Sequence, residues 1–409
     1  MSTTLGVEET LNFALDAQGE REAIVCSALG ISGDELARIA GYCFGSSVNA
    51  VEMSGNRYSQ LYRMAKIPQL LGVSFSKAEF MWQLMAGDNS ILESIGVTET
   101  LESLRILRDS EYMVEWLEKH NIDLVSLQAL TTTEFSAIAT PEIFNFLSNL
   151  FHSVPHGPGA PLSSPLSEGE LEGLYRGIAA GFSVLSLKLN QIPSLITWIE
   201  QINTSWNLES FWQAIIAIFS GSGGEEVSTE TAFLNLKNAT QLVRDCQILS
   251  QYALLTQRFN LSEQDLRLIV NDPGQFRANA GEPRPGFPLL LSLSRLKSWQ
   301  QKIEVSSDAA MQYFPLANEA GADRARMVTE LARIHGWQKA LTDDMCQYLF
   351  GPNAFPLHFE GIFLLETWMR LALQFSIGSK SLDRIWKMHA PDDLDAEETS
   401  LFVLVGADL

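Results

Sequence analysis

Charge is scarce in this 409-residue chain, at 19% of residues against the quarter usual in soluble domains. Positive charge is scarcer still, 28 basic against 49 acidic side chains for a formal net charge of −21. Nucleic-acid affinity is carried mainly by Lys and Arg neutralising phosphates, so this balance excludes an extended DNA or RNA surface. It disfavours charge-driven adhesion to anionic membranes for the same reason. Cysteine is sparse too. Cys26, Cys43, Cys246 and Cys346 lie far apart and form no C-x-x-C, which excludes a disulfide scaffold and a four-thiolate zinc site and leaves small buried hydrophobes. Long apolar runs are missing, since the best uncharged stretch, Phe211 to Phe219, is followed by Ser-Gly-Ser-Gly-Gly and stops well short of the ~20 residues of a bilayer crossing. No transmembrane segment is expected. The acidic N-terminus has no basic flank before an apolar stretch, so it does not read as a secretory signal peptide.

Histidine is limited to six, and none stands in a catalytic spacing. His152 and His156 are four apart, but Pro155 between them and Gly157-Pro158 after them predict a solvated loop pair with no carboxylate or thiolate neighbour, not a zinc site. His120 follows Glu118-Lys119 at a predicted helix C-terminus, where a cation complements the dipole. His335 falls inside a helix junction, and His358 and His389 have no acid or nucleophile at a known motif distance. Neither G-x-S-x-G, the P-loop nor H-E-x-x-H occurs. Gly221-Ser-Gly223-Gly224 follows a helical run and precedes Glu225-Glu226, so it reads as a flexible linker and not as a phosphate cradle. The run Asp392 to Glu398 lacks the central Gly of a calcium loop. No residue is therefore assigned as catalytic, cofactor-binding or metal-ligating, and no cofactor is expected.

What the chain does have is helical periodicity. Leu36, Ile39, Ala40 and Cys43 fall on one stripe behind Ser32, Asp34 and Glu35, and Leu266, Ile269 and Val270 follow Ser262-Glu-Gln-Asp265. Ser76-Lys-Ala-Glu79 reads as a capping box ahead of Phe80, Met81, Leu84 and Met85. Period-two alternation and β-branched runs are scarce. The fold class is all-α.

Five helix ends share a frame of apolar end, short break, capping residue and second amphipathic helix. They are Ala28-Leu-Gly-Ile-Ser32, Leu70-Leu-Gly-Val-Ser74, Arg258-Phe-Asn-Leu-Ser262, Ile334-His-Gly-Trp337 and Gln374-Phe-Ser-Ile-Gly-Ser379. Gly30 to Gly72 is 42 positions, as is Gly336 to Gly378. Such recurrence predicts degenerate helix-pair repeats packed as an irregular helical shell or bundle, with Gly30, Gly72 and Gly378 at helix C′ positions in positive φ. The competing reading is that any helical bundle shows Gly at C′ and Ser at the next N-cap.

Length predicts two or three domains. Punctuation divides the chain into an N-terminal helical lobe (1–151), a Pro/Gly-rich connection (152–169), a central apolar helical segment (170–272) and a C-terminal helical repeat lobe (273–409). Between Pro141 and Thr240 there are nine acidic and three basic residues, so the central segment is either the most buried part or a contact face for something larger. Nine tryptophans sit mostly at helical positions beside Leu, Ile or Met, which fits core packing, with an interface role as the alternative.

The block from Tyr58 through Leu70-Leu-Gly-Val-Ser74 to Met85 resembles a recurring Leu-Tyr-Arg, Leu-Gly-Leu-Ser segment in the A subunits of bacterial insecticidal toxin complexes, the Tc toxins, and in the related Salmonella virulence plasmid A proteins. Leu290 to Phe350, with its Leu-Ala-x-x-x-Gly-Trp-like junction, is similar to another part of those subunits. The resemblance implies a non-enzymatic piece of the α-helical shell that encloses a translocation channel, in pentameric subunits that carry a toxic enzyme held by B and C subunits. Implied partners are the rest of an A subunit, sister protomers and, indirectly, the B and C subunits, in a secreted complex. Nothing here resembles the family's channel helices, receptor-binding β-domains or B-docking region, so the chain is expected to be either a shell fragment or a small protein built from the same repeats. The alternatives are a standalone helical-repeat adaptor for a protein or peptide, and an enzyme with a site assembled from dispersed residues.

Overall fold

The computed structural model describes residues 10–14, 19–45, 49–86, 89–97, 101–154, 166–221, 225–277 and 283–382. The chain is all-α, 73% helical, and forms two compact units, Met1–Gln128 and Ala129–Leu409.

The first unit opens on a two-stranded antiparallel ribbon, β1 (Thr10–Asn12) and β2 (Ala50–Glu52), that pairs Leu11 with Val51 and buries both. Between and after the strands come α1 (Glu20–Leu29), α2 (Gly33–Phe44), α3 (Gly55–Leu70), α4 (Phe75–Ala86), α5 (Ser90–Val97) and α6 (Leu101–Lys119), and α7 (Leu124–Thr131) crosses the boundary. Leu36, Ile39, Leu61, Met64, Phe75, Trp82 and Leu92 form the centre of a shared core. The ribbon is tied to the helices by Glu22, whose carboxylate accepts the amides of Asn12 and Gly19, each at 2.7 Å. Burial pushes the Glu22 carboxyl up, but these amide donors outweigh it and hold it below the usual range.

The second unit holds α8 (Pro141–Ser153), α9 (Glu168–Gly181), two 3₁₀ turns at Ser183–Leu185 and Leu189–Gln191, α10 (Ile192–Ile202), α11 (Leu208–Phe219), α12 (Thr229–Asn238), α13 (Thr240–Arg258), α14 (Glu263–Val270), α15 (Pro273–Phe276), α16 (Phe287–Lys302), α17 (Ser307–Met311), α18 (Tyr313–Ala317), α19 (Arg324–His335), α20 (Lys339–Phe350) and α21 (Phe359–Phe375). Seven tryptophans across the two units, from Trp82 to Trp368, are buried, and Trp337 is half-buried, so packing accounts for these eight. Trp386 lies outside the described residues. Two of the buried indoles have clear acceptors: Trp82 donates to Ser110 Oγ at 2.7 Å in the first unit, and Trp198 donates to the Pro283 carbonyl at 2.8 Å in the second. Most large apolar side chains of 182–219 are core, with Trp198, Trp206, Phe211 and Trp212 nearly inaccessible, while Val184 is left 90% exposed.

The helix frame has a single structural basis. Gly30, Gly72, Asn260, Gly336 and Ser376 all adopt the left-handed conformation, with φ of 70, 68, 45, 67 and 54°. The amide of the next residue then reaches back five positions, as in Ile31 to Cys26, Val73 to Pro68, Leu261 to Thr256, Trp337 to Ala332 and Ile377 to Ala372, all at 2.9–3.1 Å. This closure satisfies an orphan helix-end carbonyl and turns the chain into the next N-cap. A sixth copy, absent from the sequence reading, is Asn121 (φ 49°) with Ile122 bonded to Leu117, followed by Asp123 capping α7 through the Ser126 amide.

Two expectations are corrected, the glycine of the last frame and the capping box read at Ser76, where the frame's own Ser74 holds. Ser376, not Gly378, takes the left-handed position, and Gly378 is the N-cap, its carbonyl accepting the Leu382 amide at 3.2 Å. The cap of α4 is Ser74, which accepts the Lys77 amide. Ser76 lies within that helix because Ser74 already follows the turn, and Arg38 of α2 engages both the Ser76 hydroxyl and the Glu79 carboxylate.

Candidate functional site

Among the described residues, three polar clusters could in principle carry chemistry. In the second unit, Asp265 is fully buried as the third residue of α14. Its carboxylate accepts from the Ser262 amide (2.6 Å), the Ser262 hydroxyl (2.8 Å), Lys297 and Gln300. With four donors on two oxygens and no solvent access, the group is consumed in holding α14 against α16, and no substrate atom can reach it.

The second cluster surrounds His335. Its Nε2 accepts the Trp299 indole N–H at 3.2 Å, and its ring stacks on Trp337 at 3.8 Å and 11°. Burial pulls its pKa down to about 3, so the imidazole is neutral, the state an acceptor of that bond requires. It is a core group of the α19–α20 junction.

The third cluster lies in the first unit, where Tyr42 donates to Glu79 at 2.9 Å beside Arg38 and Gln83. Burial first, then the Glu79 hydrogen bond and charge, push the Tyr42 phenol up to about 12. A phenol held protonated next to a paired carboxylate is neither a poised base nor a nucleophile.

The remaining histidines take structural places. His358 caps α21, its Nδ1 accepting the Gly361 amide at 3.0 Å, and burial lowers its pKa. His120 follows the last residue of α6 and packs its ring on Trp116. His152 is not in a loop as expected but in the last turn of α8, because Pro155 constrains only the residue before it, and Val154 is the one that turns extended. Nor does it lack a carboxylate: Glu226, far along the chain, lies 3.1 Å from its Nε2 on the surface. His156, His389, Ser222-Gly223-Gly224 and the acidic run 392–398 lie outside the described residues. The flanks of the glycine-rich stretch bond to each other, Gly221 N–H to the Glu225 carbonyl at 2.7 Å.

All four thiols are free. Burial pushes Cys43 and Cys346 up to about 12 and raises Cys246 and Cys26 as well, which leaves them protonated and inert. Among the described residues no group of His, Cys, Asp and Glu could hold a metal ion, and no helix is long and apolar enough to cross a membrane. A shallow groove of about 470 Å³ lies between α1 and α3 in the first unit, lined by Val25, Leu29 and Leu61 with Tyr58, Tyr62 and Arg63.

One packing feature escaped the sequence reading. α9 carries glycine at every fourth position, Gly169, Gly173, Gly177 and Gly181, and the last part of this row, Gly177 and Gly181, lies against α8. A Cβ on Gly177 would stand 2.2 Å from Ser153 Oγ and 2.5 Å from Leu150 Cδ1, and one on Gly181 would stand 2.5 Å from the Phe146 ring. The G-x-x-x-G spacing was the available signal; it marks close helix approach in water as well as in lipid.

No protein-family profile and no curated protein matches the chain. Solved structures do. The chain is similar over 99% of its length to TcaA–TcaB of Yersinia pseudotuberculosis, at 30% identity and a TM-score of 0.68. It shares the fold, over 100% of its length, of TcdA4 from Morganella morganii, at 14% identity and a TM-score of 0.70. It spans 22% of the first of those chains and 16% of the second.

Proposed function

We propose, from the premise that this chain is a helical segment of the toxin-complex A-subunit kind, that it is a non-enzymatic structural element of the shell that encloses a translocation channel. The observation that carries this reading is the 30% identity with TcaA–TcaB sustained over 99% of the chain. It is supported by the way the polar groups are used: Asp265, His335, His358 and the Tyr42–Glu79 pair each close a helix contact or a cap. Exposed large apolar side chains, Val184, Leu234, Leu373 and Phe375 among them, are suited to packing against other parts of a larger particle. In that setting the chain works in company with the remainder of an A subunit, its sister protomers and, through them, the B and C components of a secreted toxin.

The test is a chimera in which this chain replaces the matched segment of TcaA–TcaB, compared with a deletion of that segment, by size-exclusion chromatography and electron microscopy. Assembled particles from the chimera and none from the deletion are expected. A chimera that folds yet leaves the particle unassembled contradicts the reading.

A further inference from the structure

Between α7 and α8 the chain runs from Thr132 to Thr140 with neither helix, turn nor bend. The segment, Thr132-Thr-Glu-Phe-Ser-Ala-Ile-Ala-Thr140, holds none of the Gly, Pro, Asn or Asp that make loops and is rich in β-branched residues. Burial alternates along it: Phe135, Ala137 and Ala139 are half-buried, while Glu134, Ser136 and Ile138 are exposed. That period of two marks a strand lying flat on the second unit. Gln251 of α13 fixes one end by donating to the Thr132 carbonyl at 2.9 Å, and Thr140, the extended N-cap of α8, fixes the other.

The N–H and C=O of one strand residue point to one edge and those of the next residue to the other. The edge of the even-numbered residues is largely closed from within. The Thr132 hydroxyl accepts the Glu134 amide at 3.1 Å and donates to its carbonyl at 2.9 Å, and the Ser136 hydroxyl accepts the Ile138 amide at 3.2 Å. The odd-numbered edge is open: among the described residues nothing bonds to the N–H or C=O of Thr133, Phe135, Ala137 or Ala139. Backbone groups are rarely orphaned away from water, so this edge is a template for a further strand.

We propose that the strand is completed by a second copy of this chain, residues 133–139 of the two copies pairing antiparallel about a two-fold axis. In the register that sets Phe135 against Ala137 and Thr133 against Ala139, the open residues of one copy meet those of the other, and each pair exchanges both of its backbone bonds. The charge pattern favours a copy. Glu134 is the only charged residue between Thr132 and Thr140, and this register sets it opposite Ile138 of the other copy and away from its own counterpart. Ser136 meets Ser136 at the axis, and the large Phe135 lies across from the small Ala137. Two-fold pairing uses up the open edge, so the assembly closes at two. The interface is small and each copy carries a net charge of −21, which makes the dimer weak and strengthens it as salt is added. The inference rests on the α7–α8 connection and stands or falls separately from the scaffold role.

The experiment is sedimentation velocity of the full chain across the micromolar range. A reversible monomer–dimer equilibrium is expected, with a dimer fraction that rises with concentration and with salt. Ala137→Pro removes a donor from the middle of the open edge while its fixed φ suits an extended chain, and is expected to weaken dimerisation about tenfold or more. Ile138→Lys sets a cation across from Glu134 of the other copy and Ile138→Glu sets an anion there; the first is expected to tighten the dimer about threefold and the second to weaken it about threefold. Ile138 is 72% exposed, so these two variants keep the fold and decide the question if Ala137→Pro does not fold by circular dichroism. Val184→Lys, which changes the net charge equally elsewhere, leaves the equilibrium unchanged. A chain that stays monomeric throughout, a dimer indifferent to Ala137→Pro in a folded variant, or one weakened by both Ile138 substitutions overturns the proposal.

Discussion

Glycine does two different jobs in two regions of this protein. At the α3–α4 junction Gly72 has φ 68° and nothing within 4 Å of where a Cβ would stand, so the backbone conformation alone requires it. At the α8–α9 contact Gly177 has ordinary helical geometry, and Ser153 and Leu150 occupy the place of a Cβ. The first kind of glycine steers the chain and tolerates a costly substitute. The second sets a distance between helices, so a substitute must move a helix or repack its neighbours. A stack of helices needs both, since the junctions decide where each helix points and the close contacts decide how near it lies.

Variants at these positions separate the two roles. Gly177→Val should cost ~3 kcal/mol through overpacking, measured by urea denaturation, and a cost below that of Gly72→Val would remove the distinction. Next comes acid. Burial holds native His335 neutral with a pKa of about 3, while the unfolded chain takes up a proton near pH 6.5. Below that value the unfolded state binds the extra proton, so stability falls with pH, by ~2 kcal/mol at pH 5 for this group. His335→Gln keeps an acceptor for Trp299, and the same denaturation series should then show a shallower pH slope; an unchanged slope would place the acid sensitivity elsewhere. Gly72→Val should cost ~1–2 kcal/mol, the strain of a β-branched residue at positive φ. The smallest effects are gains. Gly169→Ala, at an open position of α9, should raise stability by ~0.5–1 kcal/mol through helix propensity, and Ser376→Gly should relieve left-handed strain by ~0.5 kcal/mol. Thermal melts that show a loss at either site would mean that the space or the φ has been misassigned.

The same contrast explains what could be seen in advance. Fold class and the five junctions were legible because a helix stop, an apolar residue and a cap are adjacent in sequence, and their physics is local. The choice of Ser74 over Ser76 as cap is local as well, since Ser74 directly follows the Gly72 turn, which leaves Ser76 and Glu79 to Arg38 of another helix. Asn121 went unnoticed, although Asn260 fills the same position in a recognised frame, because the cap that follows it is Asp123 where three of the frames place Ser. The Glu226 partner of His152 and the Gly177–Ser153 contact join residues far apart in the chain, and no local pattern names such a partner. The same reason kept the α1–α3 groove out of sight, since its floor joins residues of two helices.

Hydrogen exchange provides the most direct test of the scaffold role, comparing the isolated chain with the chimera assembled in a TcaA–TcaB particle. A scaffold already folded on its own predicts unchanged protection at the six junctions and new protection at the segments that expose Val184, Leu234 and Phe375. Protection unchanged at all three of those places on assembly would contradict a shell that packs through its apolar surface.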